Sequence, residues 1–304
     1  MSPIRWTARP AGAAALLVLF VLGNIVPAVA ASGPSGQAPT GAAEGAAADA
    51  FPKSLKQAGR DFLSDTGRIW TSPARIRNRD VFPLIALAAG TTVLIVADES
   101  IRAGVVSYAD QHAWVGDVSP VITQLGGVAG FATAGAFFGA GLLFKDDRAR
   151  DTGYLAASAI LQAMLVDNFL KIMAGRQRPY VADGEDHWGG PAAYFNGGGE
   201  DNRSFPSGHS ATAFALATVV SMQYGHRAWV PVVAYTLATG VGLSRMALDK
   251  HWSSDVLVGA VVGHLVARLV VRDYARRRRF TPMLACSPRG FAVSLFYDLE
   301  PPGR

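Results

Sequence analysis

The sequence predicts an all-α fold, a bundle of about six helices embedded in a membrane, and three observations carry that expectation. Half of the 304 residues are hydrophobic and only 17% are charged. Six apolar segments follow one another, at 81–97, 120–144, 152–174, 208–224, 228–248 and 254–271, and several reach or approach the roughly 20 residues that cross a bilayer. Their Gly, Ala, Ser and Thr content lets helices approach closely. Gln162, Asp167, His264 and Arg268 interrupt these segments, so the faces that carry them are expected to meet protein rather than lipid.

The elements divide the chain in order. Arg5 and Arg9 precede the apolar run "AGAAALLVLFVLGNIV", and Ala28 and Ala30 follow. Residues 1–30 therefore read as a secretory signal peptide cut after Ala30, with an uncleaved anchor as the alternative. Residues 31–50 are small and patternless, a flexible linker. Across 51–79, Phe51, Leu55, Ala58, Phe62 and Ile69 recur at near-helical spacing between Lys53, Lys56 and Arg60. That is an amphipathic helical segment, lying on a membrane surface or against the bundle. The main helical domain occupies 80–273. A basic stop and a tail fill 274–304, where Phe291, Val293 and Leu295 alternate after Ser-Pro-Arg-Gly, a short β-hairpin-like pattern.

Charge excludes some functions and orients the rest. The net charge is +5, and its most obvious basic run is "RRRR" at 276–279. A basic run beside an apolar helix marks a cytoplasmic end, and no basic face with aromatics suggests nucleic acid as a partner. The basic stretches 145–150, 225–227 and 272–279 fall at one set of helix ends; 175–206 and 244–255 fall at the other. The positive-inside rule then turns the second set outward, to the periplasm or exterior of an inner membrane. A cleaved signal followed by six spans would turn it inward. Three readings stay open: 81–97 does not span, the signal is not cleaved, or the bundle is a soluble periplasmic protein. The single cysteine, Cys286, rules out an intrachain disulfide.

Three polar clusters gather at helix ends. "KIMAGRQRP" holds Lys171, Arg176, Arg178 and Pro179; "SFPSGHS" holds Ser207, Gly208 and His209; "SRMALDKHWSSD" holds Arg245, His251 and Asp255. Such groups are costly to bury unless they pair or do chemistry. Several fixed cations converging on one point suit an oxyanion with several oxygens, most plausibly phosphate. "PSGH" opens the helix at 208, where backbone amides and the positive helix end favour an anion. Two imidazoles suit a double displacement, one attacking phosphorus and one protonating the departing alkoxide. His251 and Asp255 are one helical turn apart, so the carboxylate orients the ring of the nucleophile and His209 is the acid. His112, His187, His226 and His264 show no paired ligand spacing, so no metal site is expected. Asp249 and Lys250 read as spacers.

Lys171 with six residues before Arg178-Pro179, then Pro206-Ser207-Gly208-His209, then Ser244-Arg245 with five residues before His251 and three before Asp255, together resemble the type 2 phosphatidic acid phosphatase family, which shares its architecture with vanadium haloperoxidases. The resemblance covers roughly 80–273 and implies an all-α bundle with a metal-independent phosphatase site and no cofactor. It implies that Lys171, Arg178 and Arg245 hold the phosphate, with Ser207 and the Gly208 amide completing the cradle. His209 is then the general acid, His251 forms a phosphohistidine, and Asp255 orients it; Arg176 is not a motif position and receives no role. The expected substrate is a lipid phosphate, a prenyl diphosphate or another phosphate ester. A soluble periplasmic acid phosphatase, a vanadium haloperoxidase and a membrane transporter are the alternatives. Charges clustered at one set of ends argue against the transporter, and the chain is short for a haloperoxidase. The loop 180–206, with Tyr180, Trp188, Tyr194 and Phe195 among glycines, is a candidate for substrate contact.

Overall fold

The computed structural model describes residues 51–52, 54–181, 187–196, 199–279, 282–287 and 290–295. The expected signal peptide and linker, residues 1–50, lie outside this set. Helix α1 (Leu55–Trp70) starts at Ser54, whose side chain accepts from the Gln57 amide, the bond that satisfies an unpaired donor of a first turn. It lies against the bundle: Gln162 Nε2 donates to the Phe62 carbonyl at 2.9 Å, and Arg277 Nη1 meets Asp65 Oδ1 at 2.6 Å.

The six apolar segments become α2 (Asn78–Gln111), the pair α3 (Ala113–Ile122) and α4 (Val128–Phe144), then α5 (Asp147–Ala174), α7 (Gly208–Tyr224), α8 (Trp229–Ala247) and α9 (Ser253–Arg279). A short helix, α6 (Gly190–Asn196), lies between α5 and α7. Two strands, β1 (Pro282–Ser287) and β2 (Gly290–Leu295), pair antiparallel with Pro282 opposite Leu295.

Two of the sequence segments are reshaped. The segment 81–97 is the middle of a 34-residue helix, long and apolar enough to cross a bilayer, so its shortness no longer argues against a span. Apolar periodicity marks where a helix is greasy, and polar residues at both ends of α2 extend it beyond that mark. The segment 120–144 is two helices bent by 52°, joined through a 3-10 turn at Thr123–Gly126 and through Gly127, because Pro120 and two consecutive glycines interrupt the ladder. Among the described residues, three helices, α2, α5 and α9, are long and apolar enough to cross a membrane, or four spans if the bent pair counts as one. The chain is a membrane protein, and its described residues hold fewer such helices than the six apolar segments suggested.

Helix α7 is the axis of the bundle. Ala215 and Val219, four residues apart, face a core of Leu155, Ile160, Ala163, Val266 and Val270 from α5 and α9. Ala213 and Ala217 face Leu125, Ala129, Ala238 and Val241 from the bend, α4 and α8. Burying both faces needs small side chains, and α9 answers with Gly259 and Gly263: a Cβ on either would collide with the carbonyl oxygen of Ser207 or Ala211. This small-residue seam presses the start of α9 onto the start of α7, and so joins the second polar cluster to the third.

The interrupting polar residues face protein. Gln162 is fully buried against α1, and His264 Nδ1 lies 3.0 Å from Thr218 Oγ1 and 3.1 Å from the Tyr235 hydroxyl. The basic segments gather at one end, where Arg148 overlies the Tyr224 ring and Tyr154 faces Tyr274. The three polar clusters lie at the other end, separated from it by the length of the 28-residue α5, ~42 Å at helical rise.

Candidate active site

Each cluster is delivered by a helix end. Lys171 is in the last turn of α5, which Gly175 closes at φ 52°; this left-handed cap, natural for glycine, turns the chain so that Arg176 points inward. Lys171 Nζ contacts Asp167 Oδ2 at 3.1 Å and donates to the Pro206 carbonyl, linking the first cluster to the second. Beyond the turn, the Arg178 amide donates to the Asp201 carbonyl at 2.7 Å, and Arg178 Nη2 lies 3.4 Å from the exposed Glu200 carboxylate.

Ser207 caps α7. Its Oγ accepts from the Ser210 amide and the Ser210 hydroxyl, which leaves its own proton to donate elsewhere. Gly208 and His209 form the first turn, with helix amides and the positive end of the dipole beside them. The Ser207 amide donates to the Asp255 carbonyl at 3.0 Å, joining the second cluster to the third. Arg245, in the last turn of α8, is buried and donates to Thr123 Oγ1 at 3.2 Å, so the bend between α3 and α4 belongs to the site.

His251 and Asp255 flank the start of α9, and both are buried. His251 Nδ1 lies 3.4 Å from Asp255 Oδ2, within ion-pair range but outside hydrogen-bond geometry; such contacts tighten when charge develops on the ring. The carboxylate is otherwise fixed, by the Ser204 hydroxyl, the Trp252 amide at 3.0 Å and Arg176 Nη1 at 2.6 Å.

The electrostatics bind these pieces into one site. Burial, then the charges of Lys171, Arg245 and Arg178, hold the His251 imidazole well below its ordinary 6.5. Burial, then Arg245, His251, Arg178 and Lys171, push His209 down to about 3. All eight residues singled out by the sequence, Lys171, Arg178, Ser207, Gly208, His209, Arg245, His251 and Asp255, therefore lie at one end of the bundle and interact directly or through their charges. Among the described residues, buried Arg178 Nε and Arg245 Nε find no acceptor, and an unpartnered buried donor is costly, so both suit an anion. Among the described residues, no three His, Cys, Asp or Glu side chains group as metal ligands.

Sequence reasoning missed four neighbours. Arg176 is fully buried between Asp98 and Asp255, with its guanidinium over the rings of Trp188 and Trp252. Asp98 is on α2, 73 residues before the first cluster begins at Lys171, so no local spacing announces it. Ser204 and Thr123 are loop hydroxyls without a motif. Asp249 is not a spacer: in a left-handed conformation, φ 55°, it takes a two-pronged bond from Arg102 at 2.7 and 2.9 Å. Lys250 overlies the Tyr180 ring at 4.1 Å. In the intervening loop Trp188 packs edge-on against Phe205, and residues 182–186 and 197–198 lie outside the described set.

Comparison with known proteins bears on this arrangement. The model of the PAP2 superfamily matches residues 152–279. A lipid A 1-phosphatase of Porphyromonas gingivalis is 54% identical over 67 residues, which are 22% of this chain and 15% of that protein. Phosphatidylglycerophosphatase B of Bacillus subtilis is 29% identical over 207 residues, 66% of this chain and 94% of that one. A decaprenylphosphoryl-5-phosphoribose phosphatase of Mycobacterium tuberculosis is 32% identical over 136 residues, 43% of this chain and 69% of that one.

Proposed function

The chain belongs to the PAP2 superfamily, and from that membership we propose that it is a phosphatase of lipid phosphates, working through a phosphohistidine with its site at the outer face of the membrane. The observation that carries this reading is the convergence of two buried imidazoles with Lys171, Arg178 and Arg245 at one end of membrane-length helices. A lipid's phosphate headgroup reaches such a site while its chains stay among the helices. Exposed Tyr180, Trp188 and Phe195 beside it offer apolar contact. The relatives whose names specify a phosphate on a lipid support the same substrate class.

In the proposed reaction Lys171, Arg178 and Arg245 hold the nonbridging phosphoryl oxygens, joined by the Ser207 hydroxyl and the Gly208 amide. The neutral His251 Nε2 attacks phosphorus. An N–P bond forms as the P–O ester bond breaks, and the departing alkoxide takes the proton of His209. Asp255 stabilises the charge that appears on the His251 ring. In the second half His209 accepts a proton from water, whose oxygen attacks phosphorus. The N–P bond breaks, inorganic phosphate forms, and both imidazoles return to their starting states.

The low value of His209 sets a condition on this chemistry. Buried beside Arg245, Arg178 and Lys171, His209 is neutral at pH 7, and an acid must carry a proton. Phosphate brings negative charge among those same cations and raises His209, so binding takes up a proton. Titration calorimetry of inorganic phosphate at pH 6, in buffers of different ionisation enthalpy, is expected to show net proton uptake that His209→Gln removes. Uptake unchanged in that variant assigns the proton elsewhere.

The function itself is tested with purified protein in detergent and chelator. Release of inorganic phosphate from short-chain phosphatidic acid or a prenyl diphosphate is expected, and a strict requirement for added metal overturns the mechanism. The basic helix ends support an outward-facing site by the positive-inside rule. Cells expressing the chain are then expected to hydrolyse a membrane-impermeant ester before permeabilisation, whereas activity appearing only after lysis reverses the orientation.

A further inference from the structure

Helix α2 is 34 residues long and has a single buried residue, Asp98. That carboxylate accepts from Arg176 Nη2 at 2.8 Å, from the Ser254 amide at 3.1 Å, and from the hydroxyls of Ser253 and Ser254. It therefore closes the first turn of α9, the turn that carries Asp255. Arg176 is in turn held on both sides. Its Nη1 reaches Asp255 Oδ1 at 2.6 Å and Ser254 Oγ at 2.7 Å, while Trp188 and Trp252 lie against its faces at 4.6 and 5.2 Å. One guanidinium thus stands between two buried carboxylates, beside the imidazole that attacks in the proposed reaction.

We propose that Arg176 and Asp98 are positioning residues for phosphoryl transfer: Arg176 fixes the rotation of the Asp255 carboxylate, and Asp98 shares the guanidinium charge so that Asp255 keeps its own. The inference rests on the proposed role of Asp255. Geometry supplies the first half. Arg176 occupies Oδ1, which leaves Oδ2 for His251 Nδ1, the Trp252 amide and the Ser204 hydroxyl. Electrostatics supply the second. A lone Arg176–Asp255 pair is neutral and has little pull on an imidazolium, whereas one cation between two carboxylates keeps a net negative charge facing His251. The site thereby extends to a helix that precedes the residues matched by the family model.

A double-mutant cycle tests this. Asp98→Asn, Arg176→Lys and Asp255→Asn are made singly and in the pairs that include Asp255→Asn. The turnover rate with short-chain phosphatidic acid is expressed per phosphate-binding site counted by calorimetry, so that misfolded protein does not enter. Asp98→Asn is expected to lower turnover about 10- to 100-fold, the scale of a catalytic group misplaced by about 1 Å. Phosphate affinity is expected to stay within about twofold, because the cations that hold phosphate are elsewhere. In the Asp255→Asn background the further loss is expected to shrink to less than about threefold, since residues acting through one group are not additive. Losses that multiply fully, or normal turnover in Asp98→Asn, overturn the proposal while leaving the mechanism standing if Asp255→Asn is itself impaired. Normal turnover in Asp255→Asn overturns the mechanism and the proposal with it. Should Asp98→Asn bind no phosphate, Arg176→Lys, which keeps the charge but loses the fork, carries the same cycle with the same outcomes.

Discussion

His251→Ala is expected to abolish turnover, by about 10⁴-fold or more, and with it any phosphoenzyme trapped by an alkaline quench. The size follows from the bond that is lost. Without an imidazole at this position water must attack the phosphate ester directly, with only electrostatic stabilisation from Lys171, Arg178 and Arg245. Those cations are untouched by the change, so inorganic phosphate is expected to bind within about tenfold of its original affinity. The same environment predicts a pH dependence. His251 is held well below 6.5 by burial and by Lys171, Arg245 and Arg178, so the nucleophile stays unprotonated as pH falls through the ordinary imidazole range. The His251-dependent acid limb of kcat/KM is therefore expected to lie well below pH 6.5. Full activity in His251→Ala, or a phosphoenzyme that survives the substitution, assigns the nucleophile to another residue.

His209→Gln is expected to separate the two halves of the reaction. For an alkyl leaving group, as in phosphatidic acid, the departing oxygen needs a proton, and losing the acid costs about 10²- to 10⁴-fold. For p-nitrophenyl phosphate the departing phenolate is stable without one, so cleavage is largely spared. Hydrolysis of the phosphohistidine still needs a base for water, which the variant lacks. A burst of nitrophenolate followed by slow turnover, with phosphoenzyme accumulating, is the expected signature in a rapid-quench experiment. Equal losses with both esters and no accumulation would remove His209 from both proton transfers.

The all-α class and the residues that gather at the candidate site were legible from the sequence because their signals are local. Apolar runs near bilayer length fix helices, and the fixed spacings around Lys171, Ser207 and Arg245 place the reactive groups of each cluster within a few turns of one another. His251 and Asp255 do meet at the start of α9, but His251 precedes the helix, so the one-turn spacing is not what holds the pair. Helix limits were less legible, because apolar character and helical conformation end at different residues: α2 continues past its greasy middle, and a proline with two glycines breaks 120–144.

What the sequence by itself determined, then, is the helical class and the residues that gather at the proposed site. Only the tertiary structure decided what holds those groups in place. Asp98 and Arg102 on α2, Arg176 after the Gly175 turn, and Thr123 at the bend find their partners across 78, 147, 79 and 122 residues respectively. No periodicity or spacing encodes such a pairing. A buried charge finds its partner through the packing of the elements that carry the two.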